Sequence, residues 1–161
     1  MRLISNPRFI VDNNVGKLAR WLRMMGYNTI FFDGTDDADM ISTALAEDRV
    51  IITRDTQVVI RRLVTRGRLK AVLIASDEPE QQMQQIINVL ALDCHFQPFT
   101  ICLECNQPLA EKEREQVKGL VPSYVYQTQR QFVQCPACLR IYWRGTHWQA
   151  MSLKLEKFTQ C

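Results

Sequence analysis

Four short runs of β-branched and aromatic residues punctuate the first part of the chain: RFIVD at 8–12, NTIFF at 28–32, VIITR at 50–54 and AVLIA at 71–75. Each has the length and composition of a buried strand. Helical periodicity fills the gaps between them. In 16–25 (GKLARWLRMM), Leu18, Leu22 and Met25 recur at i, i+4 and i+7. The pattern stops at Gly26, whose missing Cβ suits the left-handed turn that closes a helix. A second helix is predicted over 37–47, after the capping candidates Thr35 and Asp36. A third covers 56–66, with Val59, Ile60, Leu63 and Val64 apolar and Gly67 at its end. A fourth covers 79–92, opening on Pro79 and placing Met83, Ile86, Ile87 and Leu90 on one face. Strand alternating with helix predicts an α/β fold: a parallel sheet with helices on both faces.

Beyond residue 95 this alternation stops, and cysteine pairs, prolines, charged residues and tyrosines take over. The chain therefore divides into two expected modules, 1–95 and 96–161. Four cysteines form Cys102-Leu-Glu-Cys105 and Cys135-Pro-Ala-Cys138, with 29 residues between the pairs. Two residues between paired cysteines let a tight turn aim both sulfurs at one ion, and two such turns supply a tetrahedral four-sulfur shell. That shell suits zinc and leaves no open position, so the metal is expected to be structural and the second module a small zinc ribbon. Cys94 and Cys161 fall outside the pairs. Aromatic residues of this module (Tyr124, Tyr126, Phe132, Tyr142, Trp143, Trp148) alternate with Arg130, Arg140, Arg144 and His147. They are expected either to stack bases beside phosphate-neutralising arginines or to form a miniature core.

Charge adds little. The total is +3 over 161 residues, and residues 1–95 balance at 12 Lys/Arg against 12 Asp/Glu. The excess lies in 96–161, with 8 against 5, and four zinc-bound thiolates would reduce it further. No apolar run reaches the roughly 18 residues a membrane span requires. The first residues lack a signal-peptide pattern, so a cytoplasmic protein is expected. Dinucleotide, P-loop, zincin and serine-hydrolase motifs are all absent, and two histidines leave little scope for histidine catalysis.

Acidic residues fall where the predicted strands end. Asp12 closes the first strand, Asp55 follows the third, and Asp36, Asp37 and Asp39 cluster where the second helix begins. Ligands of parallel sheets gather beyond the carboxyl ends of the strands, so these chain-distant carboxylates are expected to meet at one edge. Packed together they repel unless a cation neutralises them, and a hard divalent ion, Mg²⁺ or Mn²⁺, is the expected guest. Lys17, Arg20 and Arg23 recur at i, i+3 and i+6 on the first helix and, with Arg54, are candidates for holding phosphates. Arg61, Arg62, Arg66, Arg68 and Lys70 form a second basic cluster.

RFIVDNNVGKLARWLRMMGYNT, DDADMISTALAEDRVIITRD and CLEC…CPACLRIYWRGTHW together resemble the Mut-seven C-terminal RNase family, over nearly the whole chain. The resemblance implies a PIN-like domain joined to a zinc ribbon, and a metal-dependent endoribonuclease acting on RNA, single-stranded by preference. By position, Asp12, Asp37 and Asp55 match the acidic pattern, with Asp36 or Asp39 as alternatives at the second place. Asp77 is the one candidate for a fourth acidic position. An adaptor that binds RNA without cleaving it is the alternative reading. A restraining partner protein and the oligomeric state stay open.

Overall fold

The computed structural model describes residues 6–158; Cys161 lies outside them. Strands β1 (Arg8–Asp12), β2 (Thr29–Phe32), β3 (Arg49–Thr53) and β4 (Ala71–Leu73) form a parallel sheet of order β2-β1-β3-β4. Helices α1 (Lys17–Met24), α2 (Asp37–Glu47), α3 (Thr56–Val59), α4 (Arg62–Thr65) and α5 (Pro79–Leu90) connect and follow the strands. The fold is α/β, as the alternation predicts.

Side chains alternate across the sheet because successive strand residues face opposite sides. Phe9, Val11, Val50, Ile52 and Val72 pack under α1 and α5, which contribute Leu18, Leu22, Met83, Ile86 and Ile87. Ile10 and Ile51 face the other way, toward Met40, Ile41 and Ala44 of α2 and Val58 of α3. Both faces are thus covered, and β3 is buried along its whole length.

One predicted helix is broken. The stretch 56–66 forms two four-residue helices with Arg61 extended between them (φ −59°, ψ 145°). Its apolar period includes Ile60, which is 61% exposed, so no core meets that turn to keep the helix continuous. Gly26 closes α1 as expected, at φ 96°. A Cβ there would lie 2.2 Å from the Gln97 carbonyl oxygen, so the turn admits no other residue without displacement.

The second module builds an antiparallel sheet, β5 (Ala110–Lys112), β6 (Phe132–Gln134) and β7 (Ile141–Tyr142), in the order β5-β6-β7. Helix α6 (Ser123–Thr128) lies between β5 and β6, and α7 (Thr146–Glu156) follows β7. Val117, Val125 and Phe132 form its small core. Helix α7 returns to the first module, adding Met151 and Leu155, with Phe158 just beyond it, to the core under α1 and α5. No helix among the described residues is long and apolar enough to cross a membrane.

The ribbon docks near the amino end of β2. The Asn106 side chain accepts from the Thr29 amide (2.8 Å) and donates to Asn28 Oδ1 (3.0 Å). An otherwise open backbone amide of the edge strand is thereby satisfied by a residue of the ribbon.

Candidate active site and metal centre

Chain order places a crevice where strands β1 and β3 end. From β1 the chain goes to β2 on one side and then crosses to β3 on the other, and ligands of parallel sheets bind at such a reversal. Asp12 is the last residue of β1 and only 6% exposed. Its Oδ1 accepts the Asn13 amide (2.8 Å), and its Oδ2 accepts the Thr53 hydroxyl (2.7 Å) and, at 3.4 Å, the Asn14 side-chain amide. These bonds fix the carboxylate at the end of β1 and compensate its burial. Thr53 also accepts the Asp55 amide (3.0 Å), so one buried hydroxyl ties Asp12 to the Asp55 turn. Asn14 accepts the Arg54 amide (3.2 Å) and joins the same two loops. Sequence reasoning passed over Thr53 and Asn14; the one signal was a lone hydroxyl closing an otherwise apolar strand interior.

Asp55 and Asp36 cap α3 and α2, their Oδ1 atoms accepting from the Gln57 and Ala38 amides, each at 2.8 Å. Asp37, half-buried at the first position of α2, has its carboxyl pushed up. Burial contributes most, followed by the charges of Asp55, Asp12 and Asp36, with Arg61 opposing. Asp12 and Asp55 therefore lie close enough to act on Asp37 through space, while Asp36 serves as the cap of its helix. Asp77 is exposed beyond the edge strand β4 and is not among the groups acting on Asp37. A hard cation matches this donor set, since oxygens that repel one another are the ones a divalent ion neutralises. The carboxylates are more widely spaced than the cysteine sulfurs: among the described residues, only the cysteines gather three or more ligand atoms within 4.8 Å of one another.

The basic candidates separate along α1. Lys17, at its first turn, is exposed at the carboxylate end, and Arg54 is exposed just after β3. Neither side chain has an ion pair or hydrogen bond among the described residues. A helix advances 5.4 Å per turn, so the next two arginines lie progressively farther from that end. Arg20 pairs with Glu104 of the ribbon. Arg23 is 7% exposed, its Nε donating to the Thr29 carbonyl (2.9 Å) and its Nη1 to those of Leu103 (2.8 Å) and Glu104 (3.3 Å). Both arginines expected to hold substrate phosphates are thus bonded to protein groups, Arg20 in an exposed ion pair with the ribbon and Arg23 buried at its seam. Arg61, left in the second basic cluster by the sequence, is the cation that acts on Asp37.

The two cysteine turns are built alike. Cys102 and Cys135 amides donate to the Gln107 and Arg140 carbonyls (2.8 and 2.9 Å). Asn106 and Leu139 amides donate back to the Cys102 and Cys135 carbonyls (3.0 and 2.9 Å), and both residues take positive φ (60° and 65°). The Cys105 amide faces the Cys102 sulfur at 3.4 Å and the Cys138 amide faces Cys135 at 3.5 Å. Four sulfurs about 2.3 Å from a tetrahedral zinc lie roughly 3.8 Å apart; Cys102 and Cys138 are separated by 3.7 Å. The residues fit zinc. Tyr142 adds a hydroxyl 3.2 Å from the Cys102 sulfur. Burial pushes the Cys102 thiol up, but that hydroxyl, the Cys105 and Glu104 amides and Cys135 outweigh it and bring the thiol to about 7. Cys105 is pushed up to about 12, by its hydrogen bond with Cys138, by desolvation and by the Cys102 charge. A cation bound at such a group displaces the protons its thiols still hold, that of Cys105 above all.

The ribbon's aromatics are mostly structural. Phe132 is in the core, Tyr126 and Trp143 pack against it, and Trp148 packs on the first module's core. The Arg114 guanidinium covers the Tyr126 ring at 4.2 Å. Tyr124 alone of the six is an open surface, 69% exposed.

No curated protein and no solved structure matches the chain. The family model of the Mut7-C RNAse domain matches residues 7–155, spanning the strand-end carboxylates and both cysteine turns. The chain belongs to the Mut7-C RNAse domain family.

Proposed function

We propose that the protein is a metal-dependent endoribonuclease that cleaves single-stranded RNA at the Asp12–Asp37–Asp55 end of the sheet, with the zinc ribbon extending the RNA-binding surface. The observation that carries this reading is electrostatic: the charges of Asp55, after β3, and Asp12, at the end of β1, help push up the carboxyl of Asp37 at the start of α2. Bound there, Mg²⁺ or Mn²⁺ would neutralise the carboxylates and lower the pKa of water for in-line attack on phosphorus.

The chain's own residues supply the frame. Asp12 presents a carboxylate fixed by Thr53, Asn13 and Asn14. Asp55 and Asp37 stand on the first turns of α3 and α2, so each is positioned by its helix. Lys17, Arg54 and Arg61 are exposed cations, Arg61 close enough to act on Asp37, and would orient the RNA backbone. Zinc, held by Cys102, Cys105, Cys135 and Cys138, is structural, because a four-thiolate shell offers no exchangeable position.

One observation favours a second reading, an RNA-binding adaptor without catalysis: the carboxylates are not gathered as closely as the cysteine sulfurs. A matched assay separates the two. Wild type and Asp12→Asn are incubated with Mn²⁺ on structured and unstructured RNA, and products are resolved on gels. The nuclease reading expects internal cleavage of the unstructured RNA and a loss of at least about a hundredfold in the variant. Binding without product at any protein concentration establishes the adaptor instead.

A further inference from the structure

A cleft of about 730 Å³ opens on the ribbon, with Phe99, Thr100, Glu111, Lys112, Arg130 and Arg144 in its wall and none of the three carboxylates. That volume falls within the roughly 300–1,000 Å³ of small-molecule sites. Three observations distinguish it from ordinary surface. First, Phe99 has φ 69°, a left-handed conformation that is rare and costly for a bulky aromatic residue. Second, its ring is held by Trp148, edge-on at 4.8 Å, and carries the Arg144 guanidinium 5.5 Å from its centre. Third, the cleft's cations are unspent. Arg20, Arg23, Arg49 and Arg114 are all bonded to protein groups. Lys112 and Arg130, by contrast, have no hydrogen bond or ion pair from their side chains among the described residues, and Arg144 has only the ring. Of the two carboxylates in the wall, Glu113 accepts a backbone amide in its own capping box, which leaves Glu111 as a hydrogen-bond acceptor.

We propose that this cleft is a nucleotide subsite for single-stranded RNA, with phosphate between Lys112, Arg130 and Arg144 and a base stacked on the Phe99–Arg144 pair. Flat guanidinium and aromatic faces stack bases of any sequence, and unpaired cations neutralise the backbone. An acidic peptide would satisfy the cations but leave the aromatic–guanidinium pair without a partner. The proposal deepens the ribonuclease reading and rests on it: RNA engaged at the ribbon is held at a second place, apart from the carboxylate crevice.

The test is fluorescence anisotropy of a labelled single-stranded RNA 12-mer titrated with the full zinc-loaded chain, without other divalent ions. Phe99→Leu is expected to weaken binding roughly fivefold to a hundredfold, the effect of one stacked base. Arg130→Ala and Arg144→Ala together are expected to flatten the dependence of log affinity on log salt by about 1.4, at about 0.7 per phosphate contact. Arg130 is exposed, so its variant reports even if Phe99→Leu fails to fold. Wild-type binding that these variants leave unchanged overturns the subsite and spares the nuclease. Absence of wild-type binding, together with absence of cleavage, overturns both. Displacement of the RNA by poly-aspartate at equal charge concentration, as effective as by unlabelled RNA, reassigns the cleft to an acidic polypeptide.

Discussion

Arg23→Met isolates the bond between the two modules. Methionine keeps an unbranched apolar stem of similar length, so the loss reports the guanidinium rather than packing. Arg23 makes two short hydrogen bonds, to Thr29 and Leu103, and one longer one, to Glu104. A net hydrogen bond to a charged group contributes about 1.5–3 kcal/mol, and its removal strands carbonyls facing the seam. Against this stands the cost of burying a cation, which lowers the Arg23 pKa chiefly through desolvation. The balance is a destabilisation of about 2–4 kcal/mol, or roughly 5–15 °C in melting temperature for a chain of this size. Urea unfolding followed by circular dichroism and tryptophan fluorescence measures it, Trp21 and Trp148 both packing on the shared core. Arg23→Lys recovers part of the loss at most, because one ammonium cannot match the forked contacts to Thr29 and Leu103. A change below about 0.5 kcal/mol refutes the clamp. So does full stability with RNA cleavage abolished, which would return Arg23 to the substrate.

Three further predictions follow from the geometry. Asp37 has its folded pKa raised above the unfolded value, so its contribution favours folding below the unfolded pKa and is lost as pH rises through the folded one. Zinc-loaded Asp37→Asn, free of Mg²⁺ and Mn²⁺, is therefore expected to melt higher than wild type at pH 7, by a margin that shrinks as pH is lowered toward the carboxylate range, and in a separate assay with Mn²⁺ to lose cleavage; a lower melting temperature at pH 7 contradicts the repulsion. Tyr142→Phe removes the hydroxyl beside the Cys102 sulfur and is expected to weaken zinc roughly 10–100-fold in a chelator competition. Gly26→Ala, forced to positive φ against the Gln97 carbonyl, is expected to cost about 2 kcal/mol or more in urea unfolding; a neutral result means the turn can move.

The strands were legible because a parallel sheet covered on both faces writes itself as short continuous apolar runs, and all four appear within a few residues of where RFIVD, NTIFF, VIITR and AVLIA stand. The cysteine turns were legible because ligand spacing is local. The broken helix was not, since periodicity cannot tell whether a core lies opposite Ile60. The protein partners of Arg20 and Arg23 were illegible for a related reason. Spacing on a helix reports which side chains share a face, and the groups that claim them, Leu103 and Glu104, come about 80 residues later. Thr53 was overlooked because its role depends on Asp12 lying on the neighbouring strand, a pairing that only the sheet order reveals.

The return of α7 to the first core has a temporal consequence. A chain leaving the ribosome presents the four strands and α1 to α5 long before Met151, Leu155 and Phe158 emerge, so one flank of that core stays open until α7 has been made. Until those three side chains arrive, α1 and α5 cover the sheet without their final neighbours, so the earlier residues alone make an incomplete core.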